Sequence, residues 1–279
     1  ALRDLGYFSI KEPFRGLFTQ GMVTHQTFKN TNNEWIEPNE VQKINEEYFD
    51  ENKKVVEVGK IEKMSKSKKN VVDPNDIINL YGADTARWFM LSDSPPERDL
   101  QWTENGVVSS FKFVNKIWNL LEKYKKYCSD ISDDQILLNQ FKIKINSVSE
   151  NIENFQFNKA IAKIYEYVNL LNEVIGNQKI SLGNFGWSLK KLSIILQPFL
   201  PHLSEELWLN LNNKDLCINE TWPVEKIDEI TKKINIAVQI NGKIRDVIEI
   251  ESHLEKKDIL EIAKKNIRIS KHIGSRNII

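Results

Sequence analysis

Apolar residues recur every three or four positions from about Thr103 to Asn213, which is the period of an amphipathic α-helix. Three apolar stripes carry this pattern: Val107, Val108, Phe111, Val114, Trp118 and Leu121; Ile161, Ile164, Tyr165, Val168 and Leu171; and Leu192, Ile195 and Leu196. The pattern predicts a helix bundle. Pro198 and Pro201 should interrupt its last long helix, and Ser204 is a candidate N-cap for the continuation.

The period changes to two after residue 230, as expected of half-buried strands. Alternating aliphatic residues lie on both sides of Asn241-Gly242, a strong hairpin signal. A helix is predicted from about Leu254 to Lys265, so residues 230–279 should form a small α+β unit. Its tail, 254–279, has seven basic and three acidic residues, which fits a basic patch and an ordinary solvated surface about equally.

The first hundred residues are less regular. Residues 1–23 resemble the tail of an α/β unit, with a helix ending at Gly6 and a short strand around Leu17 to Val23. Residues 24–58 are polar and predict a small, weakly cored insertion. Because the chain opens in the middle of an element, we expect it to be a piece of a longer protein.

Residues 59–102 begin with a lysine-rich stretch and continue as two short helices. Asp73-Pro74 is typical of a helix start, and that helix should end near Gly82. Asp84 is a candidate cap for the next helix, which should run to Leu91.

Composition excludes several classes of protein. Lys plus Arg and Asp plus Glu are equal at 39 each, so any basic surface must be local. Two cysteines are too few for a disulfide framework, and the four histidines share no metal-ligand spacing, so no metal site is expected. No apolar run is long enough for a membrane span, and the first residues lack the basic-then-apolar order of a signal peptide. These features predict a cytoplasmic protein without a membrane partner.

Lys63-Met64-Ser65-Lys66-Ser67 (KMSKS) is the stretch with the clearest chemistry, and we call it the lysine loop. Two lysines three positions apart among small residues can place ammonium groups on a triphosphate and neutralise the charge that develops as pyrophosphate leaves. The same five residues alone would also fit a solvated linker.

The lysine loop resembles the signature loop of class I aminoacyl-tRNA synthetases. The following Tyr81-Gly82-Ala83-Asp84-Thr85-Ala86-Arg87 looks like the segment after that loop in the subgroup for Leu, Ile, Val and Met. Several further pieces look like the bacterial-type leucyl-tRNA synthetases: Glu12-Pro13-Phe14, Gln20-Gly21-Met22-Val23, Ser94-Pro95-Pro96, Gln101-Trp102-Thr103-Glu104, Leu196-Gln197-Pro198-Phe199-Leu200-Pro201-His202, Trp222-Pro223, and Val238-Gln239-Ile240-Asn241-Gly242-Lys243.

The resemblance implies roles for single residues. Lys66 would be the main ATP contact and Lys63 would assist it, both as catalytic groups; the remaining loop residues would shape the loop and bind ATP: Met64, Ser65 and Ser67. A second ATP-binding stretch would lie beside the adenosine: Gly21, Met22 and Val23. Without the resemblance, residues 21–23 fit a buried strand at least as well.

Lys112 and Lys116 are candidates for tRNA binding. They are four apart on the first bundle helix and fall outside its apolar stripe, so they project from one free face. A merely solvated helix face would explain them equally well.

The resemblance also implies an architecture. The chain would be mainly α, with the end of a Rossmann-type catalytic domain (1–23), a short leucine-specific insertion (24–58), and the lysine loop with stem-contact helices (59–102). An anticodon-binding bundle (103–225) and a truncated α+β C-terminal domain (230–279) would follow. The intact enzyme would be a monomer that joins leucine to tRNA(Leu), using ATP with Mg²⁺.

Two alternatives remain open from the sequence. One is a synthetase for isoleucine, valine or methionine, and the other is a tRNA-binding module without catalysis. No His-Ile-Gly-His-type element and no editing domain occur in the sequence. We therefore expect the chain on its own to be inactive.

Overall fold

The computed structural model describes residues 2–12, 14–129, 131, 135–228, 233–240, 242–251, 256–266 and 268–270. Two compact units divide the chain, Ala1–Lys226 and Ile227–Ile279.

A small sheet organises the first part of the larger unit. Its central strand β1 (Val23–Lys29) pairs antiparallel with β5 (Glu57–Lys63) along one edge. Along its other edge it pairs antiparallel with β2 (Trp35–Ile36) and parallel with β6 (Leu100–Gln101). A separate hairpin, β3 (Val41–Ile44) and β4 (Glu47–Asp50), lies between β2 and β5 in sequence.

The strand predicted around Leu17 to Val23 is wrong. Leu17 is 91% exposed, and β1 begins at Val23 because its pairing partners β5 and β6 lie beside residues 23–29. The strands β1 and β5 also cross the borders placed at 23/24 and 58/59. The division of the chain into domains stays a prediction.

Two helices follow the lysine loop: α1 (Pro74–Tyr81) and α2 (Ala83–Ser92). Asp73 caps α1 by accepting from the Asn75 amide at 2.8 Å, and Pro74 takes the first helical position. Gly82 separates the helices with φ of 86°, a backbone angle that glycine adopts without strain. The predicted start and end of α1 are therefore confirmed.

A helix bundle forms the rest of the unit, as predicted. Its helices are α3 (Glu104–Lys126), α4 (Gln135–Glu153), α5 (Phe157–Gly176), α6 (Leu182–Leu196) and α7 (Pro201–Asn210). One apolar core connects them, and its largest fully buried members are Trp88, Tyr167, Phe141, Phe185 and Phe199.

The apolar face of α3 differs from the predicted stripe. The buried residues are Val107, Ser110, Phe113, Ile117, Leu120 and Leu121. Phe111 lies at the exposed edge, because α5 and α6 pack on the face centred on Phe113 and Ile117. Val107 and Leu121 of the predicted stripe are buried and Val114 and Trp118 are partly buried, so the predicted and observed faces overlap without coinciding.

Two predicted caps are also wrong. Ser204 does not start α7; its hydroxyl is buried and donates to the Ser193 carbonyl at 2.7 Å. Pro201 occupies the first turn of α7 instead. Asp84 lies inside α2 and caps α7 rather than its own helix, since its carboxylate accepts from the Leu203 amide at 2.8 Å.

The smaller unit contains an antiparallel pair, β7 (Lys233–Ile240) and β8 (Lys243–Glu251), and a helix α8 (Lys256–Lys265). Its core contains Ile248, Ile250, Ala263 and Ile269. Gly242 has φ of 75° at the turn between the strands. Asn241 and residues 254–255, 267 and 271–279 of the predicted basic tail lie outside the described residues.

Candidate nucleotide and tRNA site

The lysine loop is an ordered turn at the end of β5. Ser65 is extended, residues 66–68 form one turn of 3-10 helix, and Lys69 closes it in the left-handed region with φ of 49°. The hydroxyls of Ser65 and Ser67 lie 2.7 Å apart. The loop therefore has a defined backbone shape.

The side chain of Asn70 connects this turn to β1 and β5. Its side chain is completely buried, and its amide nitrogen lies 3.2 Å from the carbonyl oxygens of both His25 and Glu62. Its side-chain oxygen accepts from the Ser65 amide at 2.8 Å. One amide group thus joins β1, β5 and the loop, although sequence inspection gave it no role.

His25 completes this arrangement. Its Nδ1 lies 3.2 Å from the Asn70 carbonyl oxygen and must donate to it. Burial lowers the pKa of His25, and the hydrogen bond to the Asn70 carbonyl opposes that shift. The imidazole therefore serves as a partly buried hydrogen-bond donor of the sheet.

Met64 fixes the loop to an apolar cluster. Its amide donates to the Val23 carbonyl at 3.0 Å, and its half-buried side chain packs on a group that we call the loop cluster. The buried members of the loop cluster are Phe89, Leu100, Trp102 and Val107. Met64 is thus the apolar side chain of the turn, while Lys63, Lys66 and Ser67 are exposed.

Lys63 and Lys66 are exposed on this turn. Lys68, by contrast, forms an ion pair with Glu62 of β5. The two lysines selected from the sequence therefore point their charge toward solvent from a backbone that Met64 and Asn70 fix.

Gly21, Met22 and Val23 lie next to the loop through β1. A Cβ atom at position 21 would lie 2.0 Å from the Arg98 carbonyl oxygen, so only glycine fits there. The Met22 amide donates to Asp99 Oδ1 at 2.8 Å. The crevice beside Gly21 has a volume of about 30 Å³, so these residues alone enclose no nucleotide-sized pocket.

Asp84 and Arg87 clamp α2 to the corner between α6 and α7. Asp84 Oδ1 lies 2.8 Å from His202 Nδ1, in addition to the cap on α7. Arg87 donates to the carbonyl of Pro198 at 2.8 Å and to that of the next residue at 3.2 Å. The second helix after the lysine loop, α2, is therefore hydrogen-bonded both to the end of α6 and to the start of α7.

An open groove of about 1070 Å³ runs along the outer face of α3. Lys112 and Lys116 both line it, and so do Lys123 and Lys126 further along the helix. Glu122 is the one acidic residue among its described lining residues. Spacings of four, seven and three residues keep all four lysines on one side of the helix.

Two asparagines of α5 hold lysines of this groove. Lys116 Nζ donates to Asn169 Oδ1 at 2.7 Å, and Lys123 Nζ donates to Asn172 Oδ1 at 2.6 Å. A neutral amide partner positions an ammonium group without cancelling its charge. The spacing of the four lysines was visible in the sequence, whereas the pairing with α5 was not.

The described part of the chain contains no group of three or more His, Cys, Asp or Glu side chains placed to hold a metal ion. None of its helices is both long and apolar enough to cross a membrane.

Two family profiles match the chain. Residues 52–103, which include the lysine loop, match the family described as class I tRNA synthetases (I, L, M and V). Residues 134–261 match the anticodon-binding domain of tRNA ligase.

Whole-sequence relatives agree with these matches. The leucine–tRNA ligase of Rickettsia bellii is 38% identical over 278 residues, which is 99% of this chain and 33% of that protein. The leucine–tRNA ligase of Zymomonas mobilis is 40% identical over 279 residues, 99% of this chain and 32% of the relative. Over 99% of its length, the chain is similar to about one third of each of these leucine–tRNA ligases. The resemblance to the leucyl-tRNA synthetases is thereby confirmed along nearly the whole chain.

A solved structure extends the likeness to the fold. The crystal structure of the ternary complex of Agrobacterium radiobacter K84 agnB2 LeuRS, tRNA and LeuAMS matches with a TM-score of 0.65 and 28% identity. The match covers 100% of this chain and 32% of that one. The chain thus spans about a third of the length of the leucine–tRNA ligases it resembles.

Proposed function

We propose that this chain acts as the part of a leucine–tRNA ligase that carries the lysine loop and a large tRNA-binding surface. The observation that carries the proposal is the exposed Lys63 and Lys66 on a turn fixed by Asn70, in a chain homologous to leucine–tRNA ligases over 99% of its length. These matches do not favour a synthetase for isoleucine, valine or methionine, and they do not favour a tRNA-binding module without catalysis.

The proposed reaction is the activation of leucine by ATP, followed by transfer to the terminal ribose of tRNA(Leu). Lys66 would lie against the triphosphate and stabilise the negative charge on the leaving pyrophosphate, with Lys63 beside it. Gly21 to Val23 would border the adenosine. ATP would arrive with Mg²⁺, which binds chiefly to phosphate oxygens and water.

The test uses leucine-dependent pyrophosphate exchange by the full-length gene product that contains this chain. Lys66→Ala should lower kcat about 10²- to 10³-fold, the usual loss on removing one group that stabilises transition-state charge. The KM for leucine should change less than about threefold, because the proposed contact of Lys66 is with the triphosphate and not with the amino acid.

Lys68→Ala is the matched control, since Lys68 belongs to the same turn but is paired with Glu62. It should lower kcat much less than Lys66→Ala. An equal loss in both variants, or a parallel loss of leucine binding with Lys66→Ala, would show that Lys66 has no special role in the transition state.

The α3 groove is proposed to bind the tRNA backbone. It presents four lysines and one glutamate, and Asn169 and Asn172 fix two of the ammonium groups at its wall. Lysine ammonium groups that are held in place and keep their charge are suited to bind RNA phosphates. Such binding is favoured by the release of counterions from the RNA. The interface proposed from Lys112 and Lys116 therefore extends to Lys123 and Lys126.

This interface is testable with the 279-residue chain and a tRNA(Leu) transcript. Lys123→Gln should weaken binding and reduce the slope of log affinity against log salt by about 0.9, the contribution of one phosphate contact. Lys163→Gln is the control, because Lys163 is paired with Glu166 at 2.7 Å and neither residue lines the groove. Equal slopes for wild type and Lys123→Gln would place the tRNA elsewhere.

Several finer assignments belong to the same proposal. They are the anticodon-binding role of the bundle at 103–225, the leucine-specific character of residues 24–58, a monomeric state and a cytoplasmic location. The profile match at 134–261 supports the first, because it covers α4 to α7.

A further inference from the structure

The turn between α4 and α5 has an aromatic residue where glycine is usual. Phe155 has φ of 56°. Its amide donates to the Ile152 carbonyl at 3.0 Å, and the Gln156 amide donates to the Asn151 carbonyl at 2.8 Å. These two bonds define the common helix-ending motif whose left-handed residue is generally glycine. Among the described non-glycine residues with positive φ, Phe155 is the one aromatic.

The end of α5 provides an internal comparison. Gln178 has φ of 51°, its amide donates to the Ile175 carbonyl at 3.1 Å, and the Lys179 amide donates to the Val174 carbonyl at 2.8 Å. The backbone is the same as at Phe155, but the side chain is an exposed polar one. The left-handed turn itself therefore does not require an aromatic ring.

The ring of Phe155 has partners that explain its presence. It stacks on Phe18 with ring centres 5.0 Å apart and planes at 26°, and it meets Phe157 edge-on at 6.0 Å. Phe157 in turn packs on the bundle core. Strain that persists in a turn is a reason to look for a role of the side chain, and here that role is contact with a distant segment.

Phe18 belongs to a segment with little other support. The described residues 14–20 form no helix or strand, and all of them are exposed. Phe14 and Leu17 are 74% and 91% exposed. The segment leads directly to Gly21 and to β1, whose first residue accepts the Met64 amide.

We propose that Phe155 is an anchor that holds the segment 14–20 on the bundle by stacking on Phe18. Through this contact, the turn between α4 and α5 positions the chain that enters β1 beside the lysine loop. Phe155 is thus a positioning residue 137 places from its partner in sequence. This inference goes beyond the proposed function and does not depend on ATP or tRNA.

Limited trypsin digestion of the 279-residue chain tests the anchor, because Arg15 lies inside the segment. The initial rate of cleavage at the Arg15–Gly16 bond should rise about 2- to 12-fold in Phe155→Gly, the range that the stabilisation of one aromatic pair allows. Phe18→Ala should give the same increase, and the double variant should cleave no faster than either single one.

Gln178→Gly is the matched control. It removes the same backbone strain at the next helix end without touching the segment, so it should leave cleavage at Arg15 unchanged while slowing global unfolding. A wild-type cleavage rate in Phe155→Gly, or additive increases in the double variant, would overturn the anchor. Hydrogen exchange of residues 14–22 should rise in parallel with cleavage.

Discussion

The buried amide of Asn70 connects three backbone segments around the lysine loop. It bonds to the carbonyls of His25 and Glu62 and accepts from the Ser65 amide. A buried backbone amide or carbonyl that is left without a hydrogen-bond partner costs more free energy than the hydrogen bond itself contributed. The shape of the loop should therefore depend on this one side chain.

Asn70→Ala should lower the free energy of unfolding by about 1–3 kcal/mol, since it removes the acceptor of the Ser65 amide and a donor to the partly buried carbonyls of His25 and Glu62. Protection of the Ser65 amide against hydrogen exchange should fall at the same time. Urea unfolding and exchange measured by NMR check both. Asn79→Ala on the exposed side of α1 is the control and should stay within about 0.5 kcal/mol of wild type. A stable Asn70→Ala with a protected Ser65 amide would contradict the interpretation.

Residue identity alone allowed a prediction for the lysines but not for Asn70. Lys63 and Lys66 stand in a short motif whose chemistry is local, so sequence spacing is sufficient to select them. Asn70 can hold the loop because it bonds to His25 of β1, which lies 45 residues earlier in the sequence. Only the fold brings the two residues together. The roles of Phe155 and Asn172 are not predictable from local sequence for the same reason, because their partners lie 137 and 49 residues away.

At the scale of elements, the cap of α7 comes from another helix. Asp84 accepts from the Leu203 amide at the start of α7 and faces His202 at 2.8 Å, although it belongs to α2. A carboxylate at a helix N-terminus satisfies an unpaired amide and interacts favourably with the helix dipole. Asp84 is also mostly buried, with 8% of its surface exposed.

Asp84→Ala should destabilise the larger unit by about 1–2 kcal/mol, the usual cost of removing an N-cap side chain. His202→Gln should cost less than about 1 kcal/mol, because the imidazole is mostly exposed and its pairing with Asp84 is screened by water. Thermal unfolding of the two variants separates the effects. Equal losses would mean that the hydrogen bond to His202, rather than the cap, carries the stabilisation.

Helix periodicity predicted the bundle well and its details less well. Long apolar stripes identify a helix whatever packs on it, so the bundle and α1 were predictable. Which side of α3 is buried depends on where α5 and α6 lie, and this moved the true stripe from Phe111 to Phe113. Caps such as Asp84 depend on neighbours that no local pattern shows.

At the scale of the molecule, α2 joins two apolar cores. Trp88 is fully buried in the bundle core and Phe89 lies in the loop cluster with Met64. Adjacent residues on a helix point about 100° apart, so one helix serves both cores. The Trp88 indole also donates to the Tyr165 hydroxyl at 3.1 Å. The lysine loop and the bundle should therefore lose their structure together.

Trp88→Leu tests this coupling, because it removes apolar contacts in the bundle core without changing any residue of the loop cluster. It should lower the free energy of unfolding by about 3 kcal/mol. In moderate urea, where exchange follows global opening, the Met64 amide should lose as much protection as the amides of α5. Phe89→Ala, on the other side of α2, should produce the same joint loss.

If Trp88→Leu weakened α5 while the Met64 amide kept its protection, the two cores would be independent. The lysine loop would then keep its shape when the bundle loosens, and tRNA bound along α3 would have no route through α2 to the residues proposed to contact ATP.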